Sequence, residues 1–189
     1  RWLRDLLDGG MLFASECRAL VASCRRVQLN FHAENPHVDL AEFIAQLHCR
    51  WFQGKQLIFQ CDGAKGEPLL MQCIAAAPDL NLVPLFDRSG GAGVLPGSWP
   101  AMIDFPEREG HPRHWGRHRA EYYKAAGYAG GLGALNIAEQ LPLIAEAAAG
   151  QPFWIDMETR VHKAGVGLLF DEMRAVIAAA DKWQAEAGQ

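Results

Sequence analysis

Apolar residues recur along this chain with two alternating periods, and the periods mark out helices and strands. Trp2, Leu3, Leu6 and Leu7 have helical spacing, and Gly9-Gly10 stops that pattern. A second helical pattern covers 11–24, which leaves no room for a strand between the two. Val27, Leu29 and Phe31 then alternate with polar residues as a short strand. Asp39 is placed to cap a helix over 40–52, with Phe43, Ile44, Leu47 and Trp51 on one face and Gly54 at its end. A strand is predicted over 56–60, a helix over 68–77 and a strand over 80–86. An irregular stretch over 94–112 holds four prolines. A helix follows over 113–126, then a very short strand running into glycines within 127–133. A helix over 134–149 carries Pro142 as a possible kink. A strand over 152–157 and a helix over 171–183 close the pattern.

Strands that alternate with helices at this spacing imply βαβ units and a parallel sheet. Two architectures satisfy right-handed crossovers: an open doubly wound sheet, which five strands suit, or a closed barrel, which needs eight. The chain opens on Arg1-Trp2, inside a helical pattern. The expectation taken forward is an α/β protein with a (β/α)8 TIM barrel of parallel strands, a single domain over 1–189 whose first strands are absent from this sequence.

Composition narrows the setting. Of 189 residues, 50% are hydrophobic and 21% charged, enough apolar material for a sizeable core. A formal net charge of -4 gives no general attraction to nucleic acid or to an anionic membrane. No apolar run approaches the ~20 residues that a spanning helix needs. The expected setting is the cytoplasm, with no nucleic-acid or membrane partner. The cysteines, Cys17, Cys24, Cys49, Cys61 and Cys73, are odd in number and contain no C-x-x-C pair. They read as small core residues kept reduced.

In either parallel architecture, ligands bind where the strands end. The strand ends predicted here carry Asn30, His32, Glu34 and Asn35, then Gln60, Cys61 and Asp62, then Asp87, Arg88 and Ser89 before Gly90-Gly91-Ala92-Gly93. Beyond these come Gly130, Gly131 and Gly133 with Asn136, and finally Asp156, Glu158, Thr159 and Arg160. Glycines between a strand and a helix let backbone N–H groups approach an anion at the positive end of the helix dipole. The same glycines also suit a tight turn that excludes side chains, and spacing alone leaves both readings open. Asp87 is placed for general acid or base work, or to pin its own loop. His111, His114 and His118 have helical spacing, but arginines crowd them, so a solvated basic face is favoured and no metal is expected. There is no Walker loop, no G-x-G-x-x-G fingerprint and no G-x-S-x-G elbow.

Three stretches resemble phosphoribosylanthranilate isomerase, a (β/α)8 family of tryptophan biosynthesis. VQLNFHA (27–33) is similar to that family's fourth strand, V-Q-L-H-G. FDRSGGAGVLPGSW (86–99) is similar to its sixth strand and loop, an Asp followed by G-G-T-G. GYAGGLGALNIAE (127–139) is similar to its seventh-strand phosphate motif, A-G-G-L-x-P-x-N-V, the most specific of the three. PFWIDMETRV (152–161) aligns with the eighth, G-V-D-V-S-S-G-V-E. The likeness covers roughly 27–183. It implies an aldose–ketose isomerisation of a phosphorylated sugar amine, with Asp87 as general acid and no cofactor. It further implies phosphate held by Gly130 and Gly131. The family's general base, a cysteine of the first strand, has no counterpart among the five cysteines here. Glu158 and Thr159 replace the paired serines after the eighth strand, with Arg160 beside them to offset the acid. GGAG lacks the threonine hydroxyl, and Gly97-Ser98-Trp99 lacks the acid of the family's F-D-W.

The functional expectation is therefore an isomerase for a small phosphorylated substrate. Asp87 is the catalytic acid, and Gly91, Gly130, Gly131, Asp156, Arg160 and His32 line the site. Two alternatives remain: a barrel that binds an anionic small molecule without turnover, and a metal-dependent enzyme built on the histidines of 111–118.

Overall fold

In the computed structural model, the described residues are 21, 23–29, 39–48, 52–61, 66–77, 79–89, 92–102, 125–157 and 160–187. They form a mixed α/β structure. The elements in order are β1 (Arg26–Leu29), α1 (Leu40–Leu47), β2 (Gln56–Cys61), α2 (Gly66–Ala76), β3 (Asn81–Asp87), β4 (Ala126–Ala129), α3 (Ile137–Ala147), β5 (Phe153–Asp156), β6 (His162–Lys163), β7 (Gly167–Leu168) and α4 (Phe170–Ala187). β1 to β5 make one sheet in the order β1-β2-β3-β4-β5. The β1–β2, β3–β4 and β4–β5 pairs are all parallel. The strand order never reverses, so there is no doubly wound switch point among these strands. With right-handed crossovers, a sequential parallel order carries its helices on one face.

The described residues up to Pro84 and those from Leu85 onward fall into two compact units. The boundary is at Pro84, a residue with no N–H to give to a sheet ladder. In the first unit, Asp39 caps α1: its Oδ1 accepts from the N–H of Ala41 at 2.8 Å and of Glu42 at 3.3 Å. Phe43 and Leu47 of α1 are buried. Phe43 meets Phe59 of β2 edge-on, with ring centroids 6.0 Å apart. That contact puts Leu57, Phe59 and Cys61 on the helix face of β2, because side chains alternate along a strand. Cys73 of α2 is buried, and burial pushes its thiol pKa up to about 12, so it is an inert core group as composition predicts.

In the second unit, Tyr128 of β4 contacts Phe86 and Phe153, and Phe153 in turn contacts Trp183 of α4. Phe86, Tyr128 and Ile155 are register partners and so share the helix face. Leu85, Asp87, Gly127, Ala129, Trp154 and Asp156 occupy the opposite face. α3 and α4 pack against each other.

Several predicted boundaries move. The helix expected over 113–126 lies outside the described residues except at its end, where Ala126 is already strand: its N–H bonds Pro152 O and it pairs with Phe153. Alanine's helical preference yields there to lateral pairing in a buried strand. α2 starts at Gly66, before Pro68, a residue that the first turn of a helix accepts. α3 starts at Ile137 because residues 133–136 form a turn, and it continues through Pro142. The antiparallel β6–β7 hairpin is not signalled by periodicity, since strands of 2 residues are too short to show any. No described helix is long and apolar enough to cross a membrane.

Candidate functional site at the strand carboxyl ends

Three strands of the second unit finish level with one another. Asp87, Ala129 and Asp156 are the last residues of β3, β4 and β5, and they are register partners in one row. Parallel partners point to the same face, so the two carboxylates stand on one side of the sheet with only the methyl of Ala129 between them. Two strand spacings separate their Cα atoms by about 9.5 Å. One layer below lie Leu85, Gly127 and Trp154. A Cβ on Gly127 would stand 2.5 Å from Trp154 Cε2 and 2.6 Å from Leu85 Cδ1. The indole and the leucine thus close over the glycine and form an apolar floor beneath the acids.

Asp87 is buried, 6% exposed. Its Oδ1 accepts from the Ser89 N–H at 3.0 Å and from the Ser89 hydroxyl at 2.6 Å. Asp87 therefore pins its own turn, and in doing so its carboxylate is held in one orientation. Asp156 is half-buried. Its pKa is raised from the usual carboxylate value, first by burial and also by the negative charge of Asp87, while a hydrogen bond from the Met157 N–H acts in the opposite sense.

The glycine turn follows β4 directly. Gly130 and Gly131 have φ of 122° and 61°, values that L side chains rarely adopt. A Cβ on Gly130 would meet Val94 O at 3.2 Å, Ser89 Cβ at 3.4 Å and Asp87 Oδ1 at 3.7 Å. A Cβ on Gly131 would stand 2.5 Å from the Leu95 backbone nitrogen. The turn after β4 and the loop after β3 are thus in backbone contact; the positive φ favours glycine at both positions, and at Gly131 the contact excludes a Cβ as well. Asn136 reaches back from the start of α3. Its Nδ2 donates to Gly131 O at 2.9 Å, and its Oδ1 accepts from the Gly133 N–H at 3.0 Å. It secures the turn in place of capping the helix.

The loop after β3 is anchored by Trp99. Its Nε1–H donates to Gln140 Oε1 at 2.9 Å, and its ring meets Tyr128 at 5.9 Å between centroids. Arg160 is exposed, and its side-chain stem lies against Gly133, where a Cβ would be 2.8 Å from that of Arg160. A cation is thereby placed beside the turn that leads into α3.

Of the residues that sequence reasoning placed in the site, Asp87, Gly130, Asp156, Gly131 and Arg160 all fall at this end of the second unit. His32 and Gly91 lie outside the described residues, as do Asp62, Glu158, Thr159 and the three histidines of 111–118. Trp154 was missed as part of the site. Its signal was its place two residues before Asp156, hence on the same face. The supporting bonds of Ser89 and Asn136 had no sequence signal beyond residue type.

Fold and site together define a parallel α/β protein with acids and a glycine turn at its strand carboxyl ends. Comparison with family models, with curated proteins and with solved structures finds no match to this chain.

Proposed function

We propose that the sheet is part of a (β/α)8 barrel and that its strand-end site isomerises a phosphorylated sugar amine, in the manner of phosphoribosylanthranilate isomerase. One observation carries the reading. The two loops that bear the likeness, Asp87 with Ser89 and Gly130 with Gly131, lie against each other at one end of neighbouring strands. The sequential strand order supports the barrel, since barrels wind in one direction.

In this reading Asp87 is the general acid that protonates the ring oxygen as the sugar opens. The phosphate lies by the Gly130–Gly131 turn and the start of α3, with Arg160 as its counter-charge. An arginine near a helix N-terminus is unfavourable alone and becomes favourable with an anion between. Asp156 lines the same site. The reaction moves protons and electron pairs within one molecule and calls for no redox cofactor.

The test is to follow the loss of phosphoribosylanthranilate fluorescence with the protein and with Asp87→Asn. Turnover that falls by about 100-fold or more in the variant is expected. A folded wild-type protein that binds inorganic phosphate without turnover would instead favour a non-catalytic anion binder, and one that does neither would overturn the reading.

A further inference from the structure

A long connection without helix or strand is often a lid. The described part of the loop after β3, residues 92–102, is instead fastened to the second unit at successive places. Near its start, the Val94 carbonyl and the Leu95 nitrogen rest against Gly130 and Gly131. Trp99 then donates its Nε1–H to Gln140 Oε1 at 2.9 Å, in the first turn of α3, and meets Tyr128 edge-on with ring centroids 5.9 Å apart. The Met102 N–H donates to Ala147 O at 2.9 Å, at the last residue of α3. Gln140 and Ala147 are about 10 Å apart along the helix axis, so the loop is tied to both ends of α3.

Trp99 stands in the middle of these ties. Tyr128 belongs to the strand that enters the glycine turn, and Gln140 to the helix that leaves it. One indole thus touches both flanks of that turn, while its own backbone continues the loop that begins at Asp87. The glycine turn has a separate fastening in Asn136, which bonds Gly131 O and the Gly133 N–H. The Asp87 carboxylate has one in Ser89. Each part is held within itself, and Trp99 supplies a tie between the two.

We propose that Trp99 is a positioning residue of the strand-end site: through Gln140 and Tyr128 it holds the loop after β3 on α3 and β4, and so fixes the Asp87 carboxyl relative to the Gly130–Gly131 turn, an inference whose catalytic consequence rests on the isomerase reading above. A substrate anchored by its phosphate at one loop reacts at the other. An error in the spacing of the loops becomes an error in the placement of the sugar ring oxygen against the acid. Binding of an anion alone needs only the glycine turn, which Asn136 secures. Loss of the tie therefore falls on kcat and not on anion affinity.

The experiment has two arms on the full chain. Trp99→Phe keeps a ring against Tyr128 and removes the N–H, Gln140→Leu removes the acceptor, and Gln140→Glu retains one. In the first arm, without substrate, amide hydrogen exchange is followed at Ser89, whose N–H bonds Asp87, and at Met102. Exchange at both is expected to quicken by about fivefold or more in Trp99→Phe, and unchanged exchange at Ser89 overturns the tie. Gly97→Ala, in the same loop where a Cβ meets nothing within 4 Å, is the control and should exchange as the wild type does. In the second arm, kcat is expected to fall by about tenfold or more in Trp99→Phe, with the Kd for inorganic phosphate within about threefold. Gln140→Leu should match that loss, the double variant should lose no more than either, and Gln140→Glu should recover most of it. An unchanged kcat, additive losses, or an equal loss of phosphate affinity overturns the positioning role. A wild type without turnover overturns the isomerase reading and the catalytic consequence with it, while the exchange rates still decide whether Trp99 ties the two loops.

Discussion

Trp154 lies over Gly127, with its Cε2 2.5 Å from where a glycine Cβ would be and Leu85 Cδ1 at 2.6 Å on the same face. The indole therefore rests on bare backbone, and both Trp154 and Leu85 would have to shift to admit a Cβ there. Gly127→Ala should overpack this layer and cost about 1–3 kcal/mol, read as a lower urea midpoint. Gly127→Ala combined with Trp154→Leu should recover part of that loss, since the two changes share one contact. Equal stability of Gly127→Ala and wild type would show that the layer is loose.

Tyr128 makes the opposite case. It is fully buried among Phe86, Trp99 and Phe153, and among the described residues its hydroxyl meets no hydrogen-bond partner. Burial raises its pKa to about 12. Removing an unpaired buried hydroxyl relieves a desolvation penalty of about 1–3 kcal/mol. Tyr128→Phe should leave the thermal midpoint unchanged or raise it. A fall worth more than about 1 kcal/mol would mean that the hydroxyl is hydrogen-bonded in solution.

Stability should depend on pH through His48. Its Nδ1–H donates to Ile44 O at 2.8 Å, and its Nε2 is 3.1 Å from Asp79. The backbone bond to Ile44 is the largest influence and raises the pKa. Asp79 raises it further through its hydrogen bond and charge, and partial burial opposes both. A folded-state pKa raised above the unfolded value gives stability that is fully present below the unfolded pKa of about 6.5 and lost as pH rises through the folded pKa. The urea midpoint should therefore fall modestly from pH 6 to pH 8, and the fall should shrink in Asp79→Asn. The pair is half exposed, so the effect is small, and high salt should reduce it further. A midpoint that rises with pH over this window would contradict the assignment.

Much of the site was legible in the residues themselves. Strand and helix periods are local, so alternation alone announced a parallel sheet, and parallel strands end together. That logic placed Asp87, the glycines at 130 and 131, and Asp156 at one end before any contact was known. The cap at Asp39 was equally local, a side chain bonding to N–H groups of the helix it precedes. The length of α3 was not, because Asn136 serves the turn behind it, and that role depends on how the turn is packed.

What the amino-acid sequence determined by itself is the alternation of β1 to β5 with helices, the parallel sense of those strands and the chemical character of their ends, because each depends on residues within a few positions of one another; the β6–β7 hairpin was not among them. The tertiary structure alone decided the lateral relations. It set Asp87, Ala129 and Asp156 in one row, laid Trp154 over Gly127 and pressed the backbone of residues 93–95 against Gly131. Register is a long-range property: a slip of one residue turns every side chain of a strand to the other face. No local pattern records it, and packing across strands far apart in the chain decides which groups can act together.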